Sequence, residues 1–316
     1  METLTKKGFQ TIKLKLKDDY EGRVEATLLK RNTKENKNRA ILYIHGFVDY
    51  FFQIPLADWA NELGFNFYAL ELRKYGRSLL KHQKPNMFRH YSEYFEEINE
   101  AVKVIREKDK NKTLVLMGHS TGGLLSALYA HHHRQEKEID SLILNSPFFD
   151  FNIPVIKKLI VPVMAAFGRL KPEAISPEGL KRGYPESVHK DYFGEYDFDQ
   201  RYKPVEGFPI NFGWINGIYQ AQKELQKGLD IQCPVLVMFS TKSVKPGKYR
   251  EEMKTADAVL DVKDIEKYAS GLGKNVKKAA IKDGVHDLIL SRKDVREHVY
   301  QTMEMFLREN NLLEKA

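Results

Sequence analysis

The apolar residues of this chain fall into two rhythms, one of alternating or unbroken runs and one of helical spacing. Residues 10–16 alternate, with Ile12, Leu14 and Leu16 on one side and lysines on the other. That spacing predicts a half-exposed strand. Asp18-Asp19-Tyr20-Glu21-Gly22 turns the chain and residues 24–29 return, so the chain opens on an antiparallel hairpin. A polar loop over 31–39 leads into Ala40-Ile41-Leu42-Tyr43-Ile44, the near-continuous apolar run of a strand buried on both faces. A helix is expected over 50–63, burying Phe51, Ile54, Trp59 and Leu63 and ending at Gly64. A strand over 65–70, a loop over 71–78 and a helix over 91–107 follow. Tyr94, Ile98, Val102 and Ile105 stripe the inner face of that helix. Thr113-Leu114-Val115-Leu116-Met117 reads as the next strand, 124–130 as a helix, and 141–147 as a strand and its exit.

The alternation of strand and helix then stops from 148 to 230. Val155, Ile156, Leu159, Ile160, Val163, Met164 and Phe167 have helical spacing there, and Pro162 kinks or divides that helix. Residues 211–229 again look helical. Strands resume at Pro234-Val235-Leu236-Val237-Met238-Phe239. A long basic loop (240–255), a helix ending near Gly271, an edge-like strand (275–282) and a closing helix (295–313) complete the chain. The pattern is α/β, with a mostly parallel central sheet carrying helices on both faces. Its expected organisation is a core over 1–147, a helical cap over 148–230, and a second part of the core over 231–316. The cap's apolar residues are expected mainly to pack it onto the body, with a few lining a pocket.

The chemistry concentrates at Gly118-His119-Ser120-Thr121-Gly122, between an apolar strand and a helix. Strand, Gly-x-Ser-x-Gly, helix is the setting of a nucleophile elbow, the signature turn of the α/β-hydrolase fold. A serine on so sharp a turn needs small residues two positions to either side. Ser120 is the expected nucleophile. In this fold the loop after a central strand supplies one oxyanion-hole amide and the residue after the nucleophile supplies the other. Those amides fall to Phe47, in His45-Gly46-Phe47, and to Thr121. Gly46 lets the backbone approach a ligand, and His45 is expected to hold the loop by hydrogen bonds.

A serine hydroxyl needs a base in reach, and the base needs a group that fixes its tautomer. The order in this fold is Ser, acid, His. Of ten histidines only His286 and His298 lie beyond the strand at Pro234, and His298 sits inside the closing helix. His286, in the loop after the last strand, is therefore the expected base. The acid should lie between residue 239 and His286, where Glu251, Glu252, Asp257, Asp261 and Asp264 are candidates. Asp257 stands where a loop feeds a helix. Asp261 is the alternative, better placed as a helix-start residue. His131-His132-His133 does not suggest a metal site, because consecutive helical residues point apart. No cofactor and no metal is called for.

Composition narrows the setting. The single cysteine, Cys233, excludes an internal disulfide and suits a reducing compartment. Nothing resembles a signal-peptide core or a stretch of the roughly 20 apolar residues that span a bilayer, so a cytoplasmic protein is expected. The net charge of +8 comes from scattered lysines, without the stripe and reading motif that nucleic acid binding would need. It is compatible with transient contact at an anionic lipid surface, without stable insertion. Oligomeric state leaves no trace in the sequence.

On these residues the chain resembles the α/β-hydrolase family of monoacylglycerol lipases, lysophospholipases and serine aminopeptidase-like proteins. The resemblance rests on His45-Gly46-Phe47, Arg73-x-x-Gly76-x-Ser78, the elbow, and His286-Asp287-Leu288 with Ser291 behind it. Asp257-Ala258-Val259 matches the family's Asp-x-Val acid motif. Two positions depart from the pattern. The acid normally follows its strand within a few residues, and Lys74 stands where glycine is common. The resemblance implies hydrolysis of carboxylic esters, often acylglycerols or lysophospholipids, through an acyl-enzyme. Amide cleavage at an N-terminus would require cap carboxylates to grip the amine, for which Glu195 and Asp197 are available. A catalytically idle binding protein is the reading of a different class.

Overall fold

The computed structural model describes residues 2–35 and 37–313. After α1 (Glu2–Lys6), β1 (Gln10–Lys15) and β2 (Glu25–Arg31) form the opening hairpin. Then come β3 (Arg39–Ile44), α2 (Ile54–Glu62), β4 (Asn66–Glu71), α3 (Tyr94–Lys103), β5 (Thr113–His119), α4 (Thr121–His132) and β6 (Ser141–Asn145). Four helices precede the next strand: α5 (Val155–Lys158), α6 (Val161–Leu170), α7 (Gly183–Val188) and α8 (Phe212–Leu225). β7 (Val235–Ser240), α9 (Val262–Ala269), β8 (Val276–Ile281) and α10 (Lys293–Glu309) finish the chain.

The eight strands form one sheet in the order β1-β2-β4-β3-β5-β6-β7-β8. β2 pairs antiparallel with β1 and β4, and the remaining pairs are parallel. Side chains alternate across the pleat, which gives the sheet two cores. Leu42, Ile44, Leu114 and Leu116 pack with α3, α4 and α8 on one face. Ile41, Tyr43, Val115 and Met117 pack with α2 and α10 on the other. This is the α/β-hydrolase fold, with helices on both faces and a helical cap inserted between β6 and β7.

Two expectations change in detail, and the choice between a kinked and a divided first cap helix is decided. The helix expected over 50–63 begins only at Ile54, beside Pro55 at its start. Phe51 is buried, but in the preceding extended segment, where its amide donates to Glu71 Oε1 at 3.2 Å. The cap's first helix is two pieces divided before Pro162, and the last cap helix ends at Leu225, short of 229.

The larger correction concerns what the cap covers. Ile156, Leu159, Val163 and Leu170 are 72%, 70%, 68% and 80% exposed, and Ile160 and Phe167 are also open. Their helical spacing is real, but much of that face points away from the body. α6 packs instead through Ala165 and Gly168, where a Cβ added to Gly168 would lie 2.1 Å from the Phe212 carbonyl oxygen on α8. The side chain of Val155 is outside the described residues.

Candidate active site

β5 ends in a sharp turn at Ser120. Ser120 has φ +52° and ψ −117°, a region that non-glycine residues enter only when the surrounding structure holds them there. The turn closes because the residues two positions to either side, Gly118 and Gly122, carry no side chains. A Cβ on Gly118 would stand 2.4 Å from the Gly122 carbonyl oxygen, and one on Gly122 would stand 2.3 Å from that of His45. Ile44 lies opposite Gly118 in the β3–β5 register, so the loop after β3 runs beside the serine.

That loop is held from below. His45 is buried, with its Nδ1 2.8 Å from the Gly46 carbonyl oxygen, while the Leu72 amide donates to its Nε2 at 3.1 Å. These contacts specify the neutral Nδ1–H tautomer, and burial pushes its pKa down to about 4. An alanine Cβ at position 46 would crowd the His119 ring and Ser120 Cβ at 3.1 and 3.2 Å. Val48 is β-branched yet has φ +48°, so the loop carries strain one residue past Phe47. The Phe47 ring lies 4.1 Å from that of Trp214 on α8. Thr121 begins α4, and its amide is among those a helix leaves unpaired at its N-terminus.

The structure brings three of the expected site residues together. His286 Nε2 is 3.0 Å from Ser120 Oγ, and His286 Nδ1 is 2.9 Å from Asp257 Oδ2. All three residues are buried. The other oxygen of Asp257 accepts the Val259 and Leu260 amides, both at 2.8 Å. Asp261 is elsewhere: it caps α9 by accepting the Lys263 amide at 3.0 Å. The long loop after β7 is an excursion whose ends meet, since Asp257 pairs with Ser243 in an isolated bridge. Asp257 thus stands in space just beyond the strand end, although the chain takes a detour to reach it.

The cap closes over this group. A cavity of about 560 Å³ is lined by Ser120 and Thr121 and by apolar side chains including Phe47, Phe148, Met164 and Trp214. Lys157 and Glu178 also line it and face each other at 3.1 Å. Glu195 belongs to a different, smaller pocket, and Asp197 is exposed and paired with Lys190 at 2.8 Å. Lys203, from the cap, forms a buried ion pair with Asp49 at 2.6 Å. Burial opposes the charge on Asp49, but Lys203 and the nearby His119 and His45 outweigh it and keep the carboxyl below its ordinary range. The three consecutive histidines diverge. The Asp230 amide donates to His131 Nδ1, His132 meets Glu224, and His133 Nδ1 faces the Tyr129 carbonyl oxygen.

Residues 35–290 match the model of the family described as serine aminopeptidase, S33. The chain belongs to this family. No curated protein sequence matches this S33-family hydrolase significantly. Among solved structures it is similar to a soluble variant of monoglyceride lipase from Saccharomyces cerevisiae, with 18% identity, 97% of each chain covered and a TM-score of 0.68. It is also similar to the monoacylglycerol lipase of Paleococcus ferrophilus, with 18% identity, coverage of 90% and 98%, and a TM-score of 0.67. A thermostable carboxyl esterase from Bacillus coagulans shares 16% identity, with coverage of 96% and 98% and a TM-score of 0.67. At these identities the likeness is one of fold.

In this S33 hydrolase the Arg73-x-x-Gly76-x-Ser78 turn meets the loop after β3 through Arg77, whose Nη1 donates to the Phe51 carbonyl oxygen at 3.3 Å. Arg73 binds the buried Glu97 through Nε and Nη2, and Ser78 Oγ donates to the Glu71 carbonyl oxygen at 2.6 Å. Lys74, in place of glycine, adopts φ +64° and buries its ammonium against Asp19 and Glu21 at 2.7 and 2.6 Å. Sequence reasoning missed His119, Asn145, Tyr184 and the role of Asp287. The His119 ring lies 4.9 Å from that of His286, and the Tyr184 ring meets His286 edge-on at 5.4 Å. Burial lowers the pKa of His119, opposed by Asp287 and aided by His286. The available signal was a polar residue ending a buried apolar strand, which must find partners there.

Proposed function

We propose that this S33-family protein is a serine ester hydrolase for lipophilic acyl esters, of the monoacylglycerol or lysophospholipid class. The observation that carries the reading is a serine hydroxyl on a strained turn, 3.0 Å from an imidazole, that opens into an apolar cavity. Ser120 Oγ attacks the ester carbonyl while His286 Nε2 takes its proton. Asp257 holds the Nδ1–H tautomer and stabilises the imidazolium. The amides of Phe47 and Thr121 receive the oxyanion, and each such donor is worth roughly 3–4 kcal/mol in comparable sites. His286 then protonates the leaving alcohol and activates the water that releases the acid. The side chains drawn together at Ser120 argue against a catalytically idle binding protein.

The substrate class rests on the cavity and the cap. An apolar pocket of this size accepts a long acyl chain, and the similar yeast structure was determined with a substrate analogue of a monoglyceride lipase. The exposed apolar face of α5 and α6 borders the same cavity through Ile160 and Met164. Exposed Lys157, Arg169 and Lys171 accompany it. This face suits transient contact with an anionic lipid surface, from which an acyl ester enters directly. Among the described residues no helix is long and apolar enough to cross a membrane. The carboxylates expected to grip an amine, Glu195 and Asp197, do not line the cavity of Ser120, and the cap carboxylate that does, Glu178, is paired with Lys157 at 3.1 Å. Turnover of p-nitrophenyl esters of increasing acyl length, set against aminoacyl anilides, tests the assignment. Ester cleavage with a chain-length optimum is expected, and preferential anilide cleavage overturns it.

A further inference from the structure

Behind the serine and histidine lies a second polar group that the reaction scheme does not use. Asn145, the last residue of β6, is fully buried. Its backbone faces the elbow: its carbonyl oxygen accepts the Ser120 amide at 3.0 Å and stands 3.2 Å from His119 Nδ1. Its side chain faces the loop that carries His286. Asn145 Nδ2 donates to Asp287 Oδ1 at 2.7 Å, and Asn145 Oδ1 accepts the Leu288 amide at 3.2 Å. Asp287 is equally buried and is bound on every side. Its Oδ1 also accepts the Ile289 amide at 3.2 Å, its Oδ2 accepts Gln53 Nε2 at 3.1 Å, and its own amide donates to the Tyr184 hydroxyl at 3.0 Å.

We propose that Asn145 is a positioning residue that sets the His286 loop against the Ser120 elbow, with Asp287 as its partner. An amide is the side chain this place needs. It presents one donor, to a carboxylate, and one acceptor, to an N–H, from a single planar group. A carboxylate at position 145 would face the carboxylate of Asp287, and an apolar side chain would leave both Leu288 N–H and Asp287 Oδ1 without that partner. Because one residue contacts both halves of the site, a shift in its pairing changes the Oγ–Nε2 separation, while the cavity that binds the acyl chain is lined by other residues. Displacement of a reacting group by about 1 Å costs on the order of 10²-fold in rate.

The inference rests on the reading of Ser120 and His286 as nucleophile and base, so the test measures that first. Wild-type protein is assayed for ester turnover and for labelling by a fluorophosphonate. If neither is seen, both the functional reading and the positioning role fall. In active enzyme, N145D and D287N are compared with the double variant N145D/D287N, each checked by thermal melting. Each single variant is expected to lose about 10²-fold in kcat with KM within about twofold of wild type. The double variant should lose less than the product of the two losses, because the exchanged pair again joins a carboxylate to an amide. N145L provides the same readout should N145D fail to fold. Single variants that melt earlier but keep wild-type kcat, or losses that simply multiply in the double variant, overturn the proposal while leaving the ester hydrolase reading intact.

Discussion

Replacing His45 by glutamine should change how stability depends on pH more than it changes stability at any one pH. The fold holds this imidazole neutral, with a pKa lowered by burial from 6.5 to about 4. The unfolded chain protonates it near the ordinary value. Between those two values the unfolded state binds a proton that the native state refuses, so stability falls as the pH falls through that window. Above 6.5 the contribution is complete, and below about 4 it is gone. Each pKa unit corresponds to about 1.4 kcal/mol, so the full window is worth on the order of 3 kcal/mol. The ring is 1% exposed, so solvent screening removes little of that. At pH 7.5 the variant loses the hydrogen bond to the Leu72 amide and should be less stable by about 1–3 kcal/mol. Lowering the pH to 4.5 penalises the wild type through His45 but not the variant, so the gap should close. Urea denaturation followed by tryptophan fluorescence between pH 7.5 and 4.5 measures it. A gap that stays constant across that range refutes the reasoning.

Two further perturbations separate neighbouring roles. D257N should lower kcat for a soluble ester by about 10⁴-fold, since an amide at this place fails to impose the Nδ1–H tautomer on His286. D261A should leave kcat near wild type and cost about 1 kcal/mol of stability as a lost helix cap, read by denaturation. On the cap, the combined variant I156S/L159S/V163S should reduce sedimentation with vesicles of phosphatidylcholine and phosphatidylglycerol and slow hydrolysis of vesicle-borne substrate. Turnover of p-nitrophenyl acetate should stay within about twofold, because none of those three side chains lines the cavity.

What the sequence made legible was what it encodes locally. The elbow could be read because a strand, a five-residue turn and a helix are contiguous, and the structure shows the steric reason for each glycine. Strands β3, β5, β6 and β7 announced themselves as apolar runs because both faces of the sheet are covered. His286 could be reached by position alone. Asp257 was harder to place, because it comes beside β7 through its pairing with Ser243, and no local pattern encodes where a detour closes. The cap showed the opposite difficulty. Helical spacing at Ile156, Leu159, Ile160 and Val163 establishes that an apolar face exists, but not which surface covers it. The roles of Asn145 and Asp287 were not legible, since their significance lies in a contact between two distant segments. Lys74 shows that a departure from a family pattern can be absorbed, with lysine accepting the left-handed backbone and finding two carboxylates.

The central claim is that Ser120 is an activated nucleophile, and the most direct measurement is ester hydrolysis by S120A. An activated Ser120 predicts an unchanged melting temperature, loss of fluorophosphonate labelling and a fall in kcat on the order of 10⁶-fold in this variant. A folded S120A protein that hydrolyses p-nitrophenyl esters at an undiminished rate would contradict it.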